Sequence, residues 1–214
     1  MLVACWSVKG GSGTTVVAAA LGLVLARSSP GGATLADLGG DLPAVLGLPE
    51  PTGPGLTEWL ATEGDVPADA LERLALDAGP GLRLLPRGAG PLPDSGGERL
   101  AAALAGSGPA VVDCGSPGDA LGLAVAASAP LSLLVLRPCY LAVRRAVAAP
   151  IRPSGVVLVR EPRRALTRRD VEEVLGVPVR AEVPLDPAVA RCVDAGLVGG
   201  RVPRALERAL RRAA

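Results

Sequence analysis

Short apolar segments alternate with longer segments of helical composition along the whole chain. The short segments are apolar at consecutive positions, which is typical of strands buried on both faces. Turns rich in Gly and Pro separate them from the helical segments. The pattern predicts strands over Leu2–Val8, Thr34–Asp37, Leu82–Leu85, Ala110–Cys114, Leu131–Leu136, Gly155–Val159 and Val179–Val183.

The intervening segments predict helices, because Ala and Leu dominate them and proline seldom interrupts them. These helices are expected over Thr14–Arg27, Leu42–Leu48, Leu56–Ala61, Ala68–Leu76, Arg99–Ala105, Ala120–Ala127, Leu141–Ala148, Thr167–Leu175, Pro187–Ala195 and Pro203–Ala213. Strands that alternate with helices favour a mostly parallel central sheet covered on both faces. We therefore predict a single three-layer α/β/α domain over residues 1–214.

The most informative local segment lies between the first predicted strand and the first predicted helix. It reads Lys-Gly-Gly-Ser-Gly-Thr-Thr over residues 9–15. Glycines let the backbone curl so that successive N–H groups converge, and a helix N-terminus adds partial positive charge. The segment therefore predicts a phosphate-binding loop. Its expected contact residues are Gly10, Gly11, Ser12, Gly13, Thr14 and Thr15.

This loop resembles the deviant Walker A motif of the MinD/ParA family of P-loop ATPases. Three later segments are similar to family motifs in the same order: Asp37 to Asp41, Val111 to Asp113 with Pro117 beyond it, and Val183 to Asp186. The resemblance spans nearly the whole chain and implies a P-loop NTPase fold with ATP and Mg²⁺ as ligands. It implies a cytoplasmic protein of a bacterium.

The resemblance also implies roles for individual residues. Lys9, the only lysine in the chain, takes the place of the signature lysine that reaches the partner's phosphates in an ATP-sandwiched dimer. Asp37 and Asp41 correspond to acidic residues that act in catalysis, and Thr15 with Asp113 to the residues that hold magnesium. Pro184 and Asp186 correspond to residues of the family's base-binding loop.

The sequence departs from the family pattern at three positions. Thr14 stands where the P-loop lysine is expected, Val159 precedes Arg160 where an adenine-reading Asn is frequent, and Gly39 replaces a second acid. Loss of a charge-assisted hydrogen bond costs roughly 1.5–3 kcal/mol. Three outcomes stay open: slow ATP hydrolysis, nucleotide binding without turnover, and a pseudo-ATPase that keeps the fold as a scaffold.

Charge is distributed unevenly along the chain. Residues 1–136 carry six basic and thirteen acidic side chains, whereas residues 137–214 carry sixteen and eight. A basic segment can bind the DNA backbone without sequence preference. The candidate contacts are Arg160, Arg163, Arg164, Arg168 and Arg169. The C-terminal segment resembles the membrane helix of MinD, but its two large apolar residues, Leu206 and Leu210, favour a helix packed on the domain.

The chain contains no histidine, which excludes Ser-His-Asp triads and His metal sites. The resemblance then implies a positioning or partitioning protein that dimerises and recruits a protein partner, with a pilus or secretion machine as one candidate cargo. An active ATP-dependent dimerisation switch is one alternative. A nucleotide-independent DNA-binding module is the other.

Overall fold

The computed structural model describes residues 1–62, 67, 69–116, 118, 120–211 and 213. Within these ranges the chain forms one eight-stranded sheet with the order β3-β4-β2-β5-β1-β6-β7-β8. Its strands are β1 Leu2–Trp6, β2 Ala33–Asp37, β3 Leu76–Asp77, β4 Leu82–Leu85, β5 Ala110–Asp113, β6 Leu131–Leu136, β7 Gly155–Arg160 and β8 Val179–Pro184. All neighbouring strands are parallel except β3 and β4, which confirms the mostly parallel sheet.

Helices connect the strands and cover both faces of the sheet. They are α1 Thr14–Ser28, α2 Leu42–Leu46, α3 Leu56–Ala61, α4 Ala70–Leu74, α5 Gly97–Gly106, α6 Ala120–Ser128, α7 Tyr140–Val147, α8 Arg168–Leu175, α9 Pro187–Asp194 and α10 Arg204–Leu210. Thr167 caps α8, as the sequence predicts, because its hydroxyl accepts from the Asp170 N–H.

Two hydrophobic cores lie on opposite faces of the sheet. Val3 and Cys5 of β1 belong to the core that α1, α2 and α10 cover. Leu2, Ala4 and Trp6 belong to the core covered by α3, α5, α6, α7 and α8. Successive side chains of a strand point to opposite faces, so the continuous apolar run of β1 serves both cores. The three-layer α/β/α fold is therefore confirmed.

The prediction of a helix over Ala68–Leu76 is wrong at its C-terminal end. Its first residue, Ala68, lies outside the described residues. The helix α4 ends at Leu74, and Leu76 and Asp77 form the exposed edge strand β3. This strand pairs antiparallel with β4, with Leu76 opposite Leu84. Local composition favours helix here, but pairing with a distant strand determines the conformation.

The predicted bounds also shift by one to three residues at other places, and two of these shifts coincide with a specific local contact or conformation. The first strand ends at Trp6 rather than Val8. At the next residue, the Ser7 hydroxyl donates to the carbonyls of Lys9 and Gly115, which belong to the loops that follow β1 and β5. The helix α2 ends before Gly47, whose φ of 75° is left-handed and stops the helix.

The C-terminal helix α10 packs on the domain. Leu206 is 1% exposed and Leu210 is 0% exposed, and both contribute to the core beside α1 and β8. The helix therefore buries the apolar face that the sequence presents. In the described parts of the chain, we find no helix with the length and apolar character needed to cross a bilayer.

Candidate functional site

The glycine loop lies at the carboxyl edge of the sheet, between β1 and α1. The strands β5 and β1 are neighbours, as are β2 and β5, so their C-terminal residues meet at this edge. Cys5 of β1 pairs with Asp113 of β5, and Asp113 pairs with Asp37 of β2. Ligands of open parallel sheets bind outside this edge, and the loop is therefore in the expected place.

The loop has a tightly curled backbone. Gly11 and Gly13 have φ values of 74° and 88°, a left-handed conformation that glycine adopts without a steric penalty. The buried Ser12 hydroxyl donates to the Lys9 carbonyl at 2.9 Å and braces the curl from within. A Cβ atom on Gly10, Gly11 or Gly13 would meet open space.

The main-chain N–H groups of this loop have no acceptor among the residues that the structure describes. Within the described part of the chain, the N–H groups of residues 10–16 donate to no other residue, and α1 begins without a side-chain cap. The first turn of α1 also carries no acidic residue. Free N–H groups at a helix N-terminus bind anions, so the loop is suited to phosphate oxygens.

A cavity of about 470 Å³ opens over the loop. Its size falls within the range of small-ligand pockets. Its described lining consists of Ser7, Gly10, Gly11, Ser12, Gly13, Thr14, Thr15, Val16, Asp41, Ala44, Val45, Gly115, Ser116, Val193 and Asp194. The sequence predicts seven of these fifteen residues, namely Gly10 to Thr15 and Asp41, and it gives no sign that Val193 and Asp194 of α9 join them.

Asp37 is fully buried and holds the segment that follows β2. Its two carboxylate oxygens accept from the N–H groups of Gly40 at 2.6 Å and Leu42 at 3.1 Å. Burial raises the pKa of Asp37 to about 7, although the Gly40 hydrogen bond opposes the shift. The carboxylate is therefore engaged with backbone rather than directed at the cavity.

Asp113 has one engaged and one free carboxylate oxygen. Oδ1 accepts from the Gly115 N–H at 2.9 Å, whereas Oδ2 is buried and has no hydrogen-bond partner among the described residues. Burial raises the pKa of Asp113, and the Thr15 hydroxyl and Gly115 N–H partly offset that shift. A buried polar atom without a partner is costly, and an ion or bound water at this position would satisfy it.

These residues fit a magnesium ion that carries phosphate. Mg²⁺ binds through one or two protein oxygens and completes its shell with water and substrate phosphates. Thr15 and Asp113 provide a hydroxyl and a carboxylate beside the loop. Among the described residues there is no cluster of three metal-ligating side chains, so phosphate and water oxygens would supply the remaining ligands.

Of the other two predicted catalytic residues, Asp41 lines the cavity and Lys9 directly precedes the lining residue Gly10. Asp41 is exposed, lines the cavity and stands at the start of α2 without capping it. Lys9 is half-buried, and its ammonium has no ion pair with any residue that the structure describes. Its carbonyl accepts from Ser7 and Ser12. Among the described residues, no carboxylate therefore lies within ion-pair distance of this ammonium.

The predicted base-binding residues lie apart from this cavity. Pro184 is exposed and lines a separate cavity of about 400 Å³ with Arg160 and Leu185. Asp186 caps α9, because its Oδ1 accepts from the Ala188 N–H at 2.8 Å. Neither residue belongs to the lining of the cavity over the loop. Pro117, which the Walker B resemblance includes, lies outside the described residues.

Two arginines that sequence reasoning missed contact the loops of this edge. Arg137, directly after β6, donates from Nη1 to the Gly11 carbonyl at 3.1 Å. Arg87, soon after β4, donates to the Leu38 carbonyl at 2.9 Å. Each follows a parallel strand at the carboxyl edge of the sheet, which is the one sequence signal that points to them.

The arginine segment after β7 is largely neutralised by its own carboxylates. Arg160 and Arg168 contact Glu182 at 3.2 and 3.8 Å, and Arg164 pairs with Glu161. Among the described residues, Arg163 and Arg169 have no carboxylate within ion-pair distance. The predicted DNA surface therefore offers fewer free charges than its five arginines suggest.

Comparisons with solved structures identify the fold. The chain is similar to septum site-determining protein MinD from Pyrococcus horikoshii, complexed with Mg-ADP, at 20% identity and a TM-score of 0.80, over 99% of this chain and 93% of that one. It is similar to a ParA family ATPase from Chlorobium tepidum at 20% identity and a TM-score of 0.76, over 98% and 96%.

A third similar structure is the MinC:MinD cell division protein complex of Aquifex aeolicus, at 22% identity and a TM-score of 0.79, over 99% of this chain and 93% of that one. No protein-family model and no curated protein sequence matches the chain. Identities this low establish the architecture rather than the activity. The chain has the fold of the MinD and ParA ATPases.

Proposed function

We propose that this chain is a positioning protein of the MinD/ParA family that binds a magnesium–nucleotide complex in its glycine loop, dimerises and recruits a protein partner. The observation that carries the proposal is the set of free loop N–H groups beside the unpartnered Asp113 Oδ2. The proposed setting is the bacterial cytoplasm, with a pilus or secretion machine as one candidate cargo.

The loop would hold the phosphates mainly through its backbone. The N–H groups of residues 10–16 donate to phosphate oxygens, and the N-terminus of α1 favours their negative charge. Thr15 and Asp113 would hold Mg²⁺, which neutralises phosphate charge when bound. The Mg-ADP in the P. horikoshii MinD structure supports this ligand for a chain of the same fold.

Thr14 sets the expected balance between binding and hydrolysis. A threonine cannot provide the charged hydrogen bond of a P-loop lysine, so affinity is expected to fall roughly ten- to a hundredfold. Hydrolysis is expected to suffer more, because its transition state gathers negative charge at the same place. We therefore infer that the protein acts as a nucleotide-responsive scaffold with slow turnover.

The dimer and the partner rest on two observations. The Lys9 ammonium has no carboxylate among the described residues of its own chain, as expected of a lysine that reaches a second copy. The A. aeolicus MinD structure of the same fold is a complex with MinC. A chain of this fold thus assembles with a protein partner.

Light scattering and phosphate release test the proposed function together. The wild type is expected to dimerise with Mg-ATP and to release phosphate at least tenfold more slowly than Thr14→Lys. Arg145→Gln, an exposed position outside the site, provides the control for surface charge. Rapid phosphate release by the wild type that Lys9→Ala abolishes would instead establish the active switch.

DNA binding without nucleotide is the weaker alternative. It depends on the arginine segment after β7, where Arg160, Arg164 and Arg168 already contact Glu182 or Glu161. Two arginines, Arg163 and Arg169, then remain for phosphate contacts. Two such arginines add DNA affinity to a nucleotide-dependent protein, but they neutralise too few phosphates for an independent DNA-binding module.

A further inference from the structure

The described lining of the cavity over the glycine loop includes no positive side chain. Among its described lining residues, Asp41 and Asp194 are acidic and none is basic. Asp37 and Asp113 lie behind them, fully buried. A polyphosphate would therefore enter a cavity whose described lining side chains repel it, and within that lining the backbone dipoles would oppose the repulsion.

Arg137 is fixed at the rim of this loop. It follows β6, the neighbour of β1, and its Nη1 donates to the Gly11 carbonyl at 3.1 Å. The two residues are 126 positions apart in the chain. Because Gly11 belongs to the curled segment, the contact brings a permanent positive charge to the loop.

Glu161 holds the other side of the same guanidinium. It pairs with Nη2 of Arg137 and also with Arg164, and its side chain is only 9% exposed. The Arg137 side chain remains 33% exposed. A guanidinium carries five N–H donors, so contacts with Gly11 and Glu161 leave donors for a ligand. Glu161 thus orients Arg137 before any ligand arrives, and because two arginines share this one carboxylate, the cluster keeps one net positive charge.

We propose that Arg137 supplies the phosphate-binding charge that Thr14 does not, so that the cation of this site comes from the end of β6 rather than from the loop. The inference rests on the proposed function, since it names a further residue of the same site. Arg137 would also brace the loop through Gly11, but its proposed contribution is the charge.

Nucleotide binding by calorimetry tests this proposal, with Mg-ATP as the probe. Arg137→Gln is expected to weaken binding at least tenfold, as expected for a lost charge-assisted contact, and Arg137→Lys to retain most of the affinity. Thr14→Lys, which restores the lysine, is expected to rescue Arg137→Gln to within about threefold of Thr14→Lys alone. Arg145→Gln is the matched control, and urea unfolding checks that each variant is folded.

The outcomes separate this inference from the proposed function. Equal affinity of Arg137→Gln and the wild type overturns the inference. The inference is also overturned if Arg137→Lys loses as much Mg-ATP affinity as Arg137→Gln and Thr14→Lys does not restore it. Arg137 would then only brace the loop. If the wild type does not bind Mg-ATP, the proposed function itself fails, whether or not Thr14→Lys binds.

Discussion

Asp37 and Asp113 are paired neighbours at the carboxyl ends of β2 and β5, and both side chains are 0% exposed. The negative charge of Asp113 raises the pKa of Asp37, in addition to the larger effect of burial. Two buried acids side by side destabilise the apo protein when both are ionised. The pair therefore makes stability depend on pH.

The first prediction concerns this pH dependence. The pKa of Asp37 is about 7 in the folded protein and 3.8 as the reference value. Between these values the folded state binds a proton that the unfolded state has lost, so stability falls as pH rises, by up to ~1.4 kcal/mol per pH unit. Urea unfolding at pH 5 and pH 8 measures this loss.

Asp37→Asn removes the titrating group and is expected to reduce the stability difference between pH 5 and pH 8. Its overall stability is expected to fall, since an amide cannot accept from both Gly40 and Leu42. The difference between the two pH values is therefore the informative quantity. Asp94→Asn, an exposed position, is the control, and an unchanged difference in Asp37→Asn contradicts the prediction.

The second prediction concerns the packing of α10. Leu210 is fully buried against the core beside α1, so Leu210→Ala is expected to lower the free energy of unfolding by about 2–5 kcal/mol. Leu197→Ala, at a site 58% exposed, is expected to change it by less than about 0.5 kcal/mol. Equal effects of the two variants on urea unfolding would argue that α10 detaches.

The third prediction concerns DNA. If only Arg163 and Arg169 are available to DNA phosphates, the logarithm of the DNA association constant is expected to fall with the logarithm of salt concentration with a slope near −1.8. Five available arginines would give a slope of about −4.5. A titration of duplex DNA across salt concentrations gives the slope. Replacing both residues by Ala is expected to abolish this salt dependence of DNA binding. Arg83→Ala, in the other half of the chain, is expected to leave it unchanged. A slope near −4.5 would mean that the ion pairs with Glu161 and Glu182 open.

Local sequence was sufficient for the seven parallel strands and for the loop. Strands buried on both faces, such as β1, are apolar at every position, and a glycine loop needs its residues in one short segment. The edge strand β3 could not be predicted, because Leu76 adopts its conformation by pairing with Leu84. Its local composition favours a helix.

The missed parts of the site depend on contacts between distant segments. Arg137 and Gly11 are 126 residues apart, and the position of Arg137 directly after a predicted strand is the one local signal of a contact at this edge. The lack of a described hydrogen-bond partner for Asp113 Oδ2 likewise depends on residues that are distant in the sequence. The assignments of Pro184 and Asp186 to base binding stay predictions, since the structure places them outside the cavity over the loop.

The most direct test of the account measures Mg-ATP binding by calorimetry for the wild type, Gly13→Ala and Gly90→Ala. Both glycines have positive φ values, 88° and 78°, and open space at the Cβ position. Both substitutions therefore carry a similar backbone strain of roughly 1–2 kcal/mol. Only Gly13 belongs to the loop. We expect the wild type and Gly90→Ala to bind one Mg-ATP per chain with equal affinity and Gly13→Ala to bind at least tenfold more weakly. Absence of binding by the wild type, or equal affinity of all three proteins, would contradict it.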